Sequence, residues 1–202
     1  MKINSKDELN KILDMCKAKP YSDIKEGGNF YKIKSQDFVF PDGSIQTREY
    51  IDKRKSSVVV PVTTQGNILF IIQPIALSNE GVLLEFPAGY YEFNENGIEA
   101  GIRELAEETG YVAANIIPLG SHYQDPGSIR QSVESYLALN CIKLKEQKLD
   151  KGEYIKYIEV PYQFAKELFN DGYIMDSNSF IAFSKSCNYL EKVYKKDINK
   201  TR

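Results

Sequence analysis

What this 202-residue chain lacks narrows its chemistry before what it contains. Cysteine is scarce: Cys16, Cys141 and Cys187 stand far apart with no C-x-x-C among them. That excludes a disulfide framework and a cysteine zinc site, and suits reduced thiols in the cytoplasm. Histidine is scarcer still. His122 is the sole one, beside Tyr123, and reads as a structural residue before a base- or phosphate-binding one. Net charge is nearly absent, with 26 Lys+Arg against 28 Asp+Glu, so the basic excess of a nucleic-acid binder is missing. No apolar run approaches the ~18 residues of a membrane span. The opening MKINSKDELNKIL has no signal-peptide core, so neither insertion nor export is expected and the expected location is cytoplasmic. Repeats and low-complexity stretches are absent too. Hydrophobic residues at 42% and charged ones at 27% are ordinary globular usage. The length suits one domain with an appendage.

The chain then reads as a succession of elements. Ser5 and Glu8 form an S-x-x-E capping box before a helix over Lys6–Lys17, with Leu9, Ile12, Leu13 and Cys16 as its apolar stripe and Pro20 beyond it. FYKIKSQDFVF, the turn Pro41-Asp42-Gly43-Ser44 and IQTREYI predict a hairpin. Buried strands are predicted at 57–62, 67–72 and 82–86, the last closed by Pro87-Ala88-Gly89. A helix follows from Gly97 to Thr109 and stops at Gly110. Strands near 113–119, 132–142 and 154–160 and helices near 162–170 and 177–195 complete a mixed sheet with helices packed on it; the basic tail KKDINKTR reads as a frayed end.

Chemistry concentrates in GYYEFNENGIEAGIRELAEETGY, residues 89–111. Ile98, Ile102, Leu105 and Thr109 recur at helical spacing and are expected to pack on the sheet. Glu104, Glu107 and Glu108 share another face, where like charges three and four residues apart cost a few tenths of a kcal/mol per pair. Arg103, four residues before Glu107, offsets part of that. Converging carboxylates are suited to a hard divalent cation that also grips phosphate oxygens. Alone, E-x-x-E-E reads as a solvated acidic face; its surroundings reverse that. The segment matches G-x5-E-x7-R-E-U-x-E-E-x-G-U, with U a bulky apolar residue, at Gly89, Glu95, Arg103, Glu104, Glu107, Glu108 and Gly110. A chance match to all seven is on the order of 1 in 10⁷ at average residue usage. Leu105 fills the first U, and Tyr111, with its phenolic tip, the second.

This pattern is the Nudix box, and the chain resembles Nudix hydrolases, which use Mg²⁺ or Mn²⁺ to attack the diphosphate of a nucleoside diphosphate linked to another moiety. The resemblance implies an α/β/α sandwich with a mixed sheet. It implies metal ligation by Glu104, Glu108, the Ala88 carbonyl and Glu107, the last directly or through water. Arg103 and Glu95 would orient the ligands, and Gly89 and Gly110 would serve the flanking turns. EFPAG at 85–89, Pro126 within HYQDPGSIRQ and the closing segment GEYIKYIEVPYQFAKELFNDGYIMD are similar to ADP-ribose pyrophosphatases, and Glu153 matches an acid that there activates water or binds another metal. By the same resemblance residues 1–50 form an N-terminal helix and hairpin section that helps build a homodimer and one wall of the nucleotide site, and 51–202 the hydrolase domain.

Two positions depart from the subfamily. Gln131 stands where a glutamate is usual, with Glu134 and Asp125 as possible substitutes, and QPIAL at 73–77 has Ile75 in place of an arginine. The implied reaction is metal-assisted attack of water on phosphorus, with Glu153 or a box acid taking the proton; ADP-ribose would give AMP and ribose 5-phosphate. The alternatives are another nucleoside diphosphate sugar, such as GDP-mannose, and a module that senses the nucleotide without cleaving it. The whole box, and the lack of a winged-helix pattern after residue 160, weigh against the sensor. Tyr90 and Tyr91 read as packing residues at least as readily as base-stacking ones, Arg48 and Arg54 as surface cations, and Asp150 as an ordinary loop acid before an assistant to the nearby Glu153.

Overall fold

A computed structural model describes residues 1–19 and 33–200, with side chains through Lys192. Pro20 and the expected strand start at residues 30–32 lie outside the described residues. Strands β1 (Ile33–Val39) and β2 (Ile45–Asp52) form the expected hairpin, paired from Ile33↔Ile51 to Val39↔Ile45. The remaining strands are β3 (Ser56–Thr63), β4 (Asn67–Gln73), β5 (Leu83–Glu85), β6 (Ala88–Tyr90), β7 (Tyr111–Val112), β8 (Asn115–Tyr123), β9 (Ile129–Arg130), β10 (Ser132–Lys143) and β11 (Lys156–Pro161). Helices are α1 (Lys6–Cys16), α2 (Gly97–Thr109), α3 (Tyr162–Asn170) and α4 (Ser177–Lys200). The last extends beyond residue 195, where the sequence carries no Gly or Pro to stop it.

The main sheet runs β11-β4-β3-β10-β7, with β5 on β4, β6 on β3 and β8 on β10; β9 leaves it to join the hairpin in a separate three-stranded sheet. The central β3–β10 pair is parallel and the other pairings in the main sheet are antiparallel, so the sheet is mixed. Strand alternation divides the buried residues between two faces. Val58, Val60, Ile68, Phe70 and Ile72 point to one, with Leu9 and Ile12 of α1, Leu168 of α3 and Phe183 of α4. Val59, Leu69, Tyr136 and Ala138 point to the other, with Leu105 of α2. That is an α/β/α sandwich, as the box resemblance implied.

Two helices are anchored in ways that bear on the site. α1 belongs to the core: Leu9 is fully buried. Backbone bonds from Ile3 N–H to the Glu159 carbonyl (2.8 Å) and from Ala18 N–H to the Gly81 carbonyl (2.7 Å) hold its two ends. Ser5 accepts from Glu8 N–H as expected, while Glu8 accepts from Asn4 N–H. The N-terminus of α2 is closed by a capping box, Asn96 with Glu99, which stands in the sequence as N-x-x-E and which the sequence reading passed over.

The packing face of α2 differs from the expected one. Leu105 and Thr109 are buried, but Ile98 and Ile102 are 39% and 41% exposed, and Gly97, Ala100 and Gly101 meet the sheet instead. A Cβ on Gly101 would lie 2.6 Å from Val59 Cγ2 and 2.9 Å from Ser57 Oγ. The helix therefore packs closely through its small residues, and the rotation this imposes turns Glu108 inward.

Candidate active site

Three segments meet at the C-terminal half of α2: the β5–β6 connection, the helix, and the 144–155 loop. The first is rigidly held. Phe86 N–H donates to the buried Ser179 hydroxyl of α4 (2.9 Å), Val59 N–H to the Pro87 carbonyl (2.9 Å), and β6 pairs with β3. Against this backbone lie two of the box carboxylates. Ala88 N–H donates to Glu108 Oε2 (3.2 Å). A Cβ on Gly89 would fall 1.8 Å from Glu104 Oε1, so glycine there leaves the room that Glu104 occupies.

Arg103 organises the outer side. Its Nε–H and one Nη2–H donate to Glu95 (2.9 and 3.0 Å), Nη1 donates to Glu104 (2.8 Å) and Glu107 (3.0 Å), and Nη2 also reaches the Tyr90 carbonyl (2.9 Å). The donor fork is thus fully used, which fixes the guanidinium in one orientation. The bond to Arg103 in turn holds the Glu95 carboxyl below its ordinary range.

Glu108 is different. It is 5% exposed, and among the described residues its carboxylate is bonded to a backbone N–H and not to a cation. Burial, then repulsion from Glu104, pushes this carboxyl well above the ordinary range, with Glu153 and Glu85 adding to the effect. Burial also raises Glu104, against the pull of Arg103. Glu85, on β5 beside Ile71, is raised to about 8 by burial and then by Asp176. Buried or half-buried Glu85, Glu104 and Glu108 therefore act on one another together with the exposed Glu153, and of these four Arg103 is bound to Glu104. Buried like charges are costly unless protonated or paired with a cation. The all-oxygen donor set fits a hard divalent ion. No three His, Cys, Asp or Glu side chains among the described residues are already closed on one point.

Glu153 reaches this cluster from the loop, where Asp150 N–H donates to its carboxylate (2.8 Å) and its own N–H donates to the Asp150 carbonyl (3.1 Å). Asp150 thus lies beside Glu153 and engages it through its backbone. Gln131 is a buried tie: its amide donates to the Arg54 carbonyl (3.0 Å) and Ser56 Oγ (3.2 Å). Glu134 accepts from Tyr136 and abuts Gly97 at the far end of α2, about 16 Å along the axis from Glu108, so it does not replace the missing glutamate. His122 bonds Asn178 (3.0 Å), the structural part expected of it. Arg54 lies over the Tyr90 ring at 5.0 Å and donates to the Tyr91 carbonyl.

A cavity of about 510 Å³ has none of the box residues in its lining. It lies between the hairpin and the 123–130 segment, bordered by Phe40, Arg48, Tyr50, Tyr123, Pro126 and Arg130. Arg130 stacks over Tyr50 at 4.0 Å and Arg48 over Phe40 at 5.1 Å. Sequence reasoning passed over Glu85, although the inward Leu84 beside it places Glu85 on the α2 face by alternation. It also passed over Gln147, which no local pattern marks.

Comparison with known proteins agrees with this geometry. The chain is 29% identical over 156 residues to an ADP-ribose pyrophosphatase of Bacillus subtilis, covering 77% of this chain and 84% of that one. It is 29% identical over 161 residues to a GDP-mannose pyrophosphatase of Pectobacterium atrosepticum, covering 78% of each. A solved ADP compounds hydrolase shares the fold, with a TM-score of 0.70 at 20% identity over 84% of this chain and 91% of that one. The NUDIX domain model matches residues 53–172, more than half of the chain, with the acidic end of α2 inside the match. The chain belongs to the NUDIX domain family and is a Nudix hydrolase.

Proposed function

We propose that this protein hydrolyses, with Mg²⁺ or Mn²⁺, the diphosphate bond of a nucleoside diphosphate joined to another moiety, ADP-ribose being the best candidate, with AMP and ribose 5-phosphate as products. The observation that carries this is Glu108, buried beside Glu104, Glu85 and Glu153 with one backbone N–H bond and no cation of its own among the described residues. Glu104, Glu107, Glu108, Glu153 and the Ala88 carbonyl would hold the metal. Bound there, a divalent ion polarises a phosphoryl oxygen and acidifies water. Arg103 and Glu95 hold the carboxylates in orientation, and Glu153, on a loop exposed to solvent, is the proton acceptor.

The nucleotide would lie toward the cavity under the hairpin, where Tyr50, Tyr123 and Arg130 offer aromatic and cationic faces. Ile33, Val39 and Ile45 of the hairpin are exposed, which supports a homodimer contact by the hairpin of the 1–50 section, whose α1 packs in the core of the 51–202 hydrolase unit. No helix among the described residues is long and apolar enough to cross a membrane, and we place the enzyme in the cytoplasm, acting on small molecules and not on nucleic acid.

A phosphate-release panel over ADP-ribose, ADP-glucose, GDP-mannose, FAD, NADH and dinucleoside polyphosphates tests the substrate. Preference for GDP-mannose would favour the second reading, which the GDP-mannose pyrophosphatase relative supports. Glu108→Gln is expected to lower turnover on the order of 10³-fold, the several kcal/mol a Lewis-acidic ion supplies. Near-normal turnover in that variant would remove Glu108 from the reaction, and ADP-ribose bound with Mg²⁺ for hours and recovered intact would make the protein a sensor.

A further inference from the structure

The 144–155 loop is fastened to the end of α2 by more than chain connectivity. The last carbonyls of a helix lack intrahelical partners, and here the loop supplies them. Leu144 and Lys145 N–H donate to the Gly110 carbonyl (3.0 and 3.1 Å), and Lys148 N–H donates to the Glu107 carbonyl (2.8 Å). The Glu108 carbonyl accepts from the side-chain amide of Gln147. That same amide nitrogen donates its other proton to the Ile155 carbonyl (3.2 Å), on the far side of Glu153. Gln147 is half-buried in a stretch whose neighbours Glu146 and Lys148 are exposed. One NH₂ group therefore spans the root of a box acid and the returning limb of the loop that carries Glu153.

From this bridge we infer that Gln147 is a positioning residue, holding the Glu153 loop in register with Glu108 so that the two carboxylates face one site. The inference rests on the proposed role of Glu153 and adds to it the part that sets its distance. The loop turns at Gly152, with φ +96, and is tied within itself by the Asp150–Glu153 bonds. Its placement against α2 rests on the contacts at its two limbs, and the Gln147 side chain touches both.

The test is a double-mutant cycle on the full chain with Gln147→Met, which keeps the length and removes both donors, and Glu153→Gln. Outer-shell partners of this kind typically cost 10–100-fold in metal affinity or activity. Gln147→Met is expected to lower kcat by about that factor with KM changed less than about threefold, and to weaken Mn²⁺ binding measured calorimetrically with the metal alone. In the Glu153→Gln background the same substitution is expected to cost less than about threefold. Amide exchange at residues 151–155 should accelerate while residues 97–106 stay protected, a pattern that general loosening of the fold would not give. An unchanged kcat and Mn²⁺ affinity in Gln147→Met overturns the inference, as does an equal loss in both backgrounds. If Gln147→Met does not fold, Gln147→Asn, one methylene too short to reach both carbonyls, enters the same cycle, and the same two results decide it. Full activity of Glu153→Gln by itself removes the role of Glu153 and the inference with it, whereas a cycle coupled in Mn²⁺ affinity beside inactivity toward every diphosphate tested would leave the loop tether standing and sink the substrate reading alone.

Discussion

Glu85→Gln offers the sharpest physical test of the acidic cluster. Glu85 has an ordinary value of 4.5 and is lifted to about 8 in the fold, by burial first and by Asp176 second. A carboxyl raised in this way leaves the fold fully stable below the unfolded value of about 4.5, and that stability is lost as pH rises toward 8. At pH 7 the unfolded chain has released the proton and the folded one retains it, so the shift works against folding by about 3 kcal/mol; above pH 8 the loss levels off at about 5 kcal/mol. Glutamine keeps the shape and has no charge to bury. In metal-free protein, urea unfolding should show the wild type and Glu85→Gln equal near pH 4.5. The variant should then be the more stable by about 3 kcal/mol at pH 7, with the gap widening to pH 8.5. Adding Mn²⁺ should narrow it, since a cation stabilises whichever state binds it. A wild-type stability that is flat between pH 5 and 8, or a variant no more stable than wild type at pH 8, would show that Glu85 is not buried as a charge and that the cluster is wetter than its geometry implies.

Three other outcomes follow from named contacts. Gly101→Ala gains about 1 kcal/mol of helix propensity but drives a methyl into Val59 and Ser57, so net destabilisation of about 1–2 kcal/mol by thermal or urea unfolding is expected; a more stable variant would mean that α2 sits farther from the sheet. Leu9→Ala should cost about 2–5 kcal/mol, since Leu9 is fully buried with Ile12 against the main core, and a loss under about 1 kcal/mol would make α1 a loosely attached appendage. Arg103→Lys keeps the charge but replaces the fork that serves Glu95, Glu104, Glu107 and Tyr90. Steady-state kinetics should show kcat down about 10–100-fold, and unaltered kinetics would deny the guanidinium its orienting part.

Much of this protein was determined locally. The hairpin, the α2 boundaries and the box acids follow from turn residues, a C-terminal glycine and fixed spacing, all of which act within a few residues and so are written in the chain. Which side of α2 faces the sheet was not so determined: helical spacing favoured Ile98 and Ile102, and only the presence of Val59 and Ser57 opposite Gly101 shows why the smaller residues win. Tertiary structure likewise decided that Glu108 is buried, that Glu85 joins it from another strand, that Glu134 sits at the wrong end of the helix to replace an acid at 131, and that Gln147 ties a distant loop to the helix end. Periodicity can mark a carboxylate's position along a helix; its desolvation and its neighbours depend on how closely two backbones approach, and that distance is set by residues far apart in the chain.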